Sequence, residues 1–348
     1  MAGPPLSPLA RTAYALGQSA RVGLFWSQYW LTARLTKPVE APRPIAGRFP
    51  GARRVRADLL ELLMRDWRNI EAGHYRMPHD LAASPFRALA DAGRYFADLR
   101  QVERRRHARD AREVRRDGPP QDGLPSYYLQ NFHYQTDGYL SRRSAELYDH
   151  QVEVLFGGGA DAMRRQALVP LYHFLEGRRS ADTRLVDLAC GTGRFLTFVK
   201  DNYPRLEITA LDLSPAYLAK ARELLSPWRR VDFIEAPAEA TGLPDGSCDV
   251  VTCIYLFHEL PRGVRRRVAR EIARILRPGG KLIFLDSLQL GDEPDYDGLL
   301  EYFPVAFHEP YYADYIRQDL PAAFAAAGLT LEQVERVYLS RLMVLAKP

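Results

Sequence analysis

The sequence predicts an α/β protein in which a doubly wound, mostly parallel sheet fills the second half of the chain, behind a mainly helical N-terminal extension. Three observations carry this expectation. From Thr183 onward, short apolar runs alternate with helical segments, the pattern of parallel strands covered by helices. The stretch Arg184 to Leu196, RLVDLACGTGRFL, is an apolar strand running into a glycine turn and then a helix. Before Gly73, apolar residues recur instead at three and four spacing, as in Leu59, Leu60, Leu62, Leu63, Trp67 and Ile70.

Taken in order, residues 1–50 read as an N-terminal amphipathic segment and a proline-rich linker. Met1 to Ala10 has no basic stretch followed by an apolar core, so no signal peptide is expected. Phe25, Trp26, Tyr29, Trp30 and Leu31 are interleaved with Arg21, Arg34 and Lys37. Residues 21–37 therefore suit either packing on their own domain or peripheral contact with a membrane surface. Prolines 38, 42, 44 and 50 mark an extended linker, because proline fixes φ and donates no hydrogen bond. Residues 51–120 form a helical extension, with one helix from Val55 to Gly73 and a second stretch from Pro85 to Asp117. That stretch carries Arg104, Arg105, Arg106, Arg109, Arg112, Arg115 and Arg116 and is broken by Gly118, Pro119 and Pro120. The arginines suit a solvated face or, alternatively, nucleic-acid contact. Residues 121–180 supply an aromatic cap (Tyr127, Tyr128, Phe132, His133, Tyr134, Tyr139) and a helix from Ser141 into Leu155. Residues 181–348 hold the sheet.

Composition agrees with a globular protein: 348 residues, 47% hydrophobic and 26% charged, with a net charge of +5. No run approaches the ~18 consecutive apolar residues of a membrane span. Cys190, Cys248 and Cys253 lie in apolar runs without close pairing, as expected of reduced thiols in a cytoplasmic protein that also allows peripheral membrane contact.

The chemistry concentrates at the strand ends. Gly191 and Gly193 let the backbone turn tightly and approach a ligand, and the helix that follows offers free N–H donors. A dinucleotide fingerprint would place a third glycine at 196, where this chain has Leu196, which weakens nicotinamide or flavin binding. The second strand, Leu206 to Leu211, ends at Asp212, placed to accept hydrogen bonds from both hydroxyls of a ribose. Asp187 is the other carboxylate, with satisfaction of loop donors as its competing role. The third strand, Val231 to Glu235, leads to Ala236-Pro237-Ala238-Glu239. The fourth, Cys248 to Ile254, opens into Tyr255-Leu256-Phe257-His258-Glu259-Leu260.

Four segments then carry a family resemblance: DLACGTG at 187–193, LDLS at 211–214, LPDGSCDVVTCIYLFHELP at 243–261 and LRPGGKLIFLD at 276–286. In this order they resemble the motifs of the class I, Rossmann-like, seven-stranded S-adenosylmethionine-dependent methyltransferases, in a form similar to the small-molecule ubiquinone and menaquinone methyltransferases. The resemblance covers roughly Ala181 to Pro348. It implies S-adenosyl-L-methionine as cofactor and a final antiparallel strand at Tyr338 to Ala346. By the same resemblance, Asp187, Ala189, Gly191 and Gly193 cradle the methionine and ribose, together with Cys190 and Thr192 of that turn. Asp212 holds the ribose hydroxyls, Leu213 flanks the adenine, Ala238 offers its N–H to the ring, and Cys253 and Ile254 complete the site. Where many members have an acidic adenine contact this chain has Pro237, with Glu235 and Glu239 nearby.

Methyl transfer is an in-line displacement, so the protein mainly positions the acceptor and, where needed, removes its proton. The stretch CIYLFHELP lacks the Asn/Asp-Pro-Pro-aromatic signature of adenine or glutamine nitrogen methylation and the Pro-Cys pair of pyrimidine methylation. His258 is the candidate general base, the competing role being to hold the loop. The aromatic insertion Glu301 to Tyr315, with His308, Tyr311 and Tyr312, joins His133, Tyr139 and Tyr255 as a candidate pocket for a small apolar or aromatic acceptor, although packing would demand many of the same side chains. By analogy, Tyr134 or Tyr139 is expected to touch the cofactor. Histidines 133, 150, 258 and 308 show no close ligand spacing, so no metal is expected. The alternatives are an RNA or protein methyltransferase that grips its substrate with the basic helix, and a non-catalytic cofactor-binding subunit.

Overall fold

The computed structural model describes residues 7–82, 85–117 and 123–348. The break expected at Gly118-Pro119-Pro120 and the first six residues lie outside the described residues. Among the described residues, seven α-helices precede the sheet: α1 (Pro8–Leu35), α2 (Ala52–Glu71), α3 (Pro85–Ala108), α4 (Val114–Asp117), α5 (Arg142–Leu155), α6 (Ala160–Gln166) and α7 (Leu168–Leu175). The amphipathic stretch at 24–35 is the second half of α1, which begins behind the Ser7 cap. The arginine stretch is not one helix. Arg109 adopts φ 52°, in the left-handed region, and stops α3 before α4 begins. Among the described residues no helix is long and apolar enough to cross a membrane.

The extension is bonded to the rest of the chain through buried charge. Arg21 of α1 pairs with Asp80, Glu153 and Asp161 at 3.0, 2.7 and 2.6 Å. Asp66 of α2, with no exposed surface, accepts from Arg165 of α6 at 3.0 and 2.6 Å and from the hydroxyls of Tyr14 and Tyr75, each at 2.7 Å. The arginine stretch is engaged as well. Arg105 is buried, donates to Glu113 at 2.7 and 2.8 Å and reaches Thr136, which ties α3 to the aromatic cap. Arg115 donates to the carbonyls of Leu129 and Ser126.

The sheet comprises β1 (Arg184–Leu188), β2 (Glu207–Asp212), β3 (Val231–Glu235), β4 (Cys248–Ile254), β5 (Leu276–Ser287), β6 (Thr330–Val337) and β7 (Ser340–Ala346). Its order is β3-β2-β1-β4-β5-β7-β6, with β7 antiparallel to both its neighbours and the other pairings parallel. Between β1 and β4 the strand order reverses, and such a switch point opens a crevice at the carboxyl ends. The central strands are largely apolar because helices cover both faces: Leu185, Leu188, Val250, Val251 and Cys253 have no exposed surface.

After β1 the covering helices are α8 (Arg194–Asn202), α9 (Pro215–Leu225) and α10 (Arg262–Ile275), followed by α11 (Asp297–Ala306), α12 (Tyr312–Tyr315) and α13 (Leu320–Ala325). α9 starts where it does because Ser214 caps it, its hydroxyl accepting from the Tyr217 N–H, with Pro215 in the first turn. α10 buries Val264, Val268, Ile272 and Ile275, one stripe at helical spacing. The proline-rich linker runs along α11: Gly298 donates to the Arg48 carbonyl at 2.7 Å and the Tyr302 hydroxyl to that of Val39 at 2.9 Å.

Candidate active site

The glycine turn and the tip of β2 are hydrogen-bonded to each other. Ala189 and Gly191 adopt φ 58° and 57°, which brings the Gly191 N–H to Oδ2 of Asp212 at 2.8 Å. The Ser214 N–H donates to the other oxygen at 2.8 Å. Each oxygen keeps lone-pair capacity for a further donor. Burial pushes the Asp212 carboxyl up to about 6, against the lowering effect of backbone hydrogen bonds from Ser214, Gly191 and Leu213. A Cβ built on Gly191 would meet no atom within 4 Å, so the turn faces open space.

That space is a pocket at the carboxyl edge of the sheet. Ala189, Gly191, Asp212, Leu213, Ala238 and Glu239 line it from β1, β2 and β3. Ile254, Tyr255, Leu256, Glu259 and Leu260 line it from the end of β4, and five tyrosines (127, 128, 139, 148 and 217) close over it. The tyrosines interlock: Tyr139 stacks on Phe132 at 5.3 Å and meets Tyr217 edge-on at 5.5 Å. The Ser214 hydroxyl donates to the Tyr139 carbonyl at 2.6 Å, which fixes the cap on the β2 loop.

Of the residues singled out from sequence, Ala189, Gly191, Asp212, Leu213, Ala238, Ile254, Tyr139 and Tyr255 come together on this pocket. The others stand behind it. Asp187 accepts from the Thr252 hydroxyl at 2.5 Å, and burial pushes it up to about 7. Cys190 is buried and its N–H donates to the Leu211 carbonyl, while Cys253 lies in the core. Thr192 donates to Asp149 of α5 at 2.8 Å. Gly193 sits at φ 78°, where a Cβ would come within 3.1 Å of the Ala221 side chain, so its lack of a side chain serves helix packing. Tyr134 is outside the pocket; its ring lies against His308 at 5.7 Å and its carbonyl accepts from Arg105.

The aromatic insertion forms an outer layer. His308 and the Tyr311 hydroxyl are held by Gln130 at 2.8 and 2.9 Å, and Tyr312 meets Ser287 at 2.5 Å. His133, at φ 53°, packs edge-on against Phe303 and Phe307. Glu235 is exposed, whereas Glu239 reaches the pocket but is occupied by the Tyr127 hydroxyl at 2.9 Å.

His258, the candidate base, is tied to the end of β5. Its Nδ1 lies 2.5 Å from Asp286, and the ring is almost fully buried outside the pocket lining. Burial alone would lower its pKa, but the carboxylates of Asp286, Glu259 and Glu309 override burial and raise it to about 10. Through its bond to Asp286 the ring secures the loop after β4. Its neighbour Glu259 is the pocket residue that the sequence reading passed over; Oε1 accepts from the Tyr139 hydroxyl at 2.5 Å. Adjacency to His258 within the FHEL motif was the available signal. No such signal marked Asp149, Tyr148 or Tyr217.

Residues 185–280 match the family described as methyltransferase domain. The strand order and the Asp212 site are those expected of a class I, Rossmann-like S-adenosylmethionine-dependent methyltransferase domain. The chain is similar to a ubiquinone/menaquinone biosynthesis C-methyltransferase of Methylobacterium nodulans, 32% identical over 46% of this chain and 62% of that one. A demethylmenaquinone methyltransferase of Thermus thermophilus is 34% identical over 38% of this chain and 57% of its own length. The chain thus spans about 60% of the length of these curated relatives. Solved structures that align with it include PH0226 protein of Pyrococcus horikoshii, TM-score 0.42 and 22% identity over 53% of this chain and 90% of that one. Enzymes of this class take S-adenosyl-L-methionine, and the residues present fit it: an acidic group for the ribose diol beside a turn open to the ligand.

Proposed function

We propose that the chain transfers the methyl group of S-adenosyl-L-methionine to a small apolar or aromatic acceptor held under the tyrosine cap. The observation that carries this reading is the pocket in which Asp212 and Gly191 form one wall and five tyrosines another. The sulfonium of the cofactor supplies the methyl group and the driving force. Asp212 binds the ribose hydroxyls, and Leu213 and Ala238 face the adenine. The interlocked tyrosines exclude water and offer aromatic surface to a planar acceptor, so orientation in a dry site is the protein's main contribution. A quinol-type ring is the acceptor class that such walls suit, and the curated relatives named above act on quinone precursors by their names.

A lipid-borne acceptor also gives a role to the exposed end of α1. Trp30, Leu31 and Leu35 are exposed beside Arg34, whose guanidinium stacks on the Trp30 ring at 3.5 Å. The first experiment is calorimetric titration with S-adenosylmethionine and S-adenosylhomocysteine, followed by a turnover screen of quinols, phenols and lipids. Micromolar cofactor binding with turnover of a quinol supports the reading. Cofactor binding with salt-sensitive turnover of RNA alone overturns the acceptor class, since phosphate contacts weaken steeply with ionic strength.

A further inference from the structure

Behind the tyrosine cap, three loops bring His133, Glu259 and Glu309 together. His133 belongs to the short 3-10 turn Phe132–Tyr134, Glu259 to the turn Phe257–Glu259 after β4, and Glu309 to the link between α11 and α12. One ligand atom from each lies within 4.8 Å of the other two. Glu309 is 2% exposed, and neither of its carboxylate oxygens receives a hydrogen bond. Its near neighbour is Nε2 of His133, 3.0 Å from Oε1. The imidazole of His258, 3.8 Å from Glu259, is already committed to Asp286.

A buried carboxylate with no donor is unfavourable, and such groups are found paired or bound to a metal. Two donors sharing an ion at about 2.0–2.2 Å stand roughly 3 Å apart when they occupy adjacent coordination positions. The Nε2 to Oε1 separation is of that size. One imidazole with two carboxylates suits Zn2+, Mn2+ or Fe2+ better than Mg2+, which keeps several waters. Two of the three loops are also joined by their backbones, since the His133 N–H donates to the His308 carbonyl at 3.2 Å.

We propose that His133, Glu259 and Glu309 bind one divalent first-row transition cation. Glu259 lines the cofactor pocket, so the ion stands at the pocket wall and fastens the aromatic cap to the loop after β4. Sequence spacing did not reveal the set because its members come from three distant loops. The proposal does not depend on which acceptor is methylated.

The test is equilibrium dialysis of the chelator-stripped full chain against Zn2+ and Mn2+ with metal analysis, and titration with Co2+ followed by its visible d–d absorption. The expected result is one equivalent bound by the wild type, at least tenfold weaker binding in Glu309→Gln and His133→Gln, and wild-type metal affinity in Asp212→Ala. Glu309→Gln is isosteric, and its thermal melt reports whether it folds; a folded variant whose midpoint no longer rises with Zn2+, as the wild type's does, supports the site. The absence of saturable wild-type binding at submillimolar free ion overturns the proposal and leaves a proton as the occupant of Glu309. So does retention of full affinity in Glu309→Gln.

Discussion

The carboxylate of Asp212 accepts the Gly191 N–H at 2.8 Å, so the residue that would hold the ribose also fixes the turn above it. Asp212→Ala should therefore weaken cofactor binding twice over, by losing the diol contact and by freeing the turn. Hydrogen bonds to a charged group are each worth about 1.5–3 kcal/mol, so a loss of ~10- to 100-fold in affinity is expected by calorimetry. An unchanged dissociation constant would remove Asp212 from the site.

Cofactor affinity should depend on pH through the same group. Its carboxyl stands at about 6 because burial penalises the charged form. The ionised form accepts the hydroxyls, so affinity should be flat above about pH 7 and fall toward tenfold per unit below pH 6. Asp212→Asn should abolish the dependence. For folding the sign reverses: a raised carboxylate contributes stability that is fully present below its unfolded pKa of about 3.9 and is lost as pH rises through about 6. Binding and thermal melts measured across the same pH series should diverge accordingly.

Two neighbouring tyrosines separate the pocket from its surroundings. Tyr139 lines the pocket and donates to Glu259, while Tyr134 faces His308 outside it. Tyr139→Phe should raise the acceptor KM by about tenfold or more, the cost of one charge-assisted bond. Tyr134→Phe should leave both cofactor affinity and KM unchanged. Equal effects in the two variants would show that the cap acts only as packing.

Asp66 anchors α2 to α1 and α6. Asp66→Ala leaves Arg165 buried without its partner, a change that costs about 3–5 kcal/mol. The thermal midpoint should drop by several degrees, and limited proteolysis should cut between α1 and α2 sooner than in the wild type.

The parallel strands were legible because they are short, mostly apolar runs bounded by turns; β3 and β4 fall at the limits their composition indicates. Asp212 and Gly191 were legible for the same reason, being fixed at strand ends. The break after α3 was not, since the φ of Arg109 leaves no mark in a run of good helix formers. Asp149 carries no mark in the sequence because Thr192, its partner, lies 43 residues further along the chain. The pairing of His258 with Asp286 was not legible because the two lie 28 residues apart. In each case the deciding group arrives by tertiary folding.

The ion cluster around Asp161 ties the cofactor turn to the extension. Arg21 of α1 shares that carboxylate with Arg194, the first residue of the helix that follows the glycine turn. One carboxylate thus serves both a helix of the extension and the helix beside the pocket, so a charge change in α1 is felt at the turn without touching it.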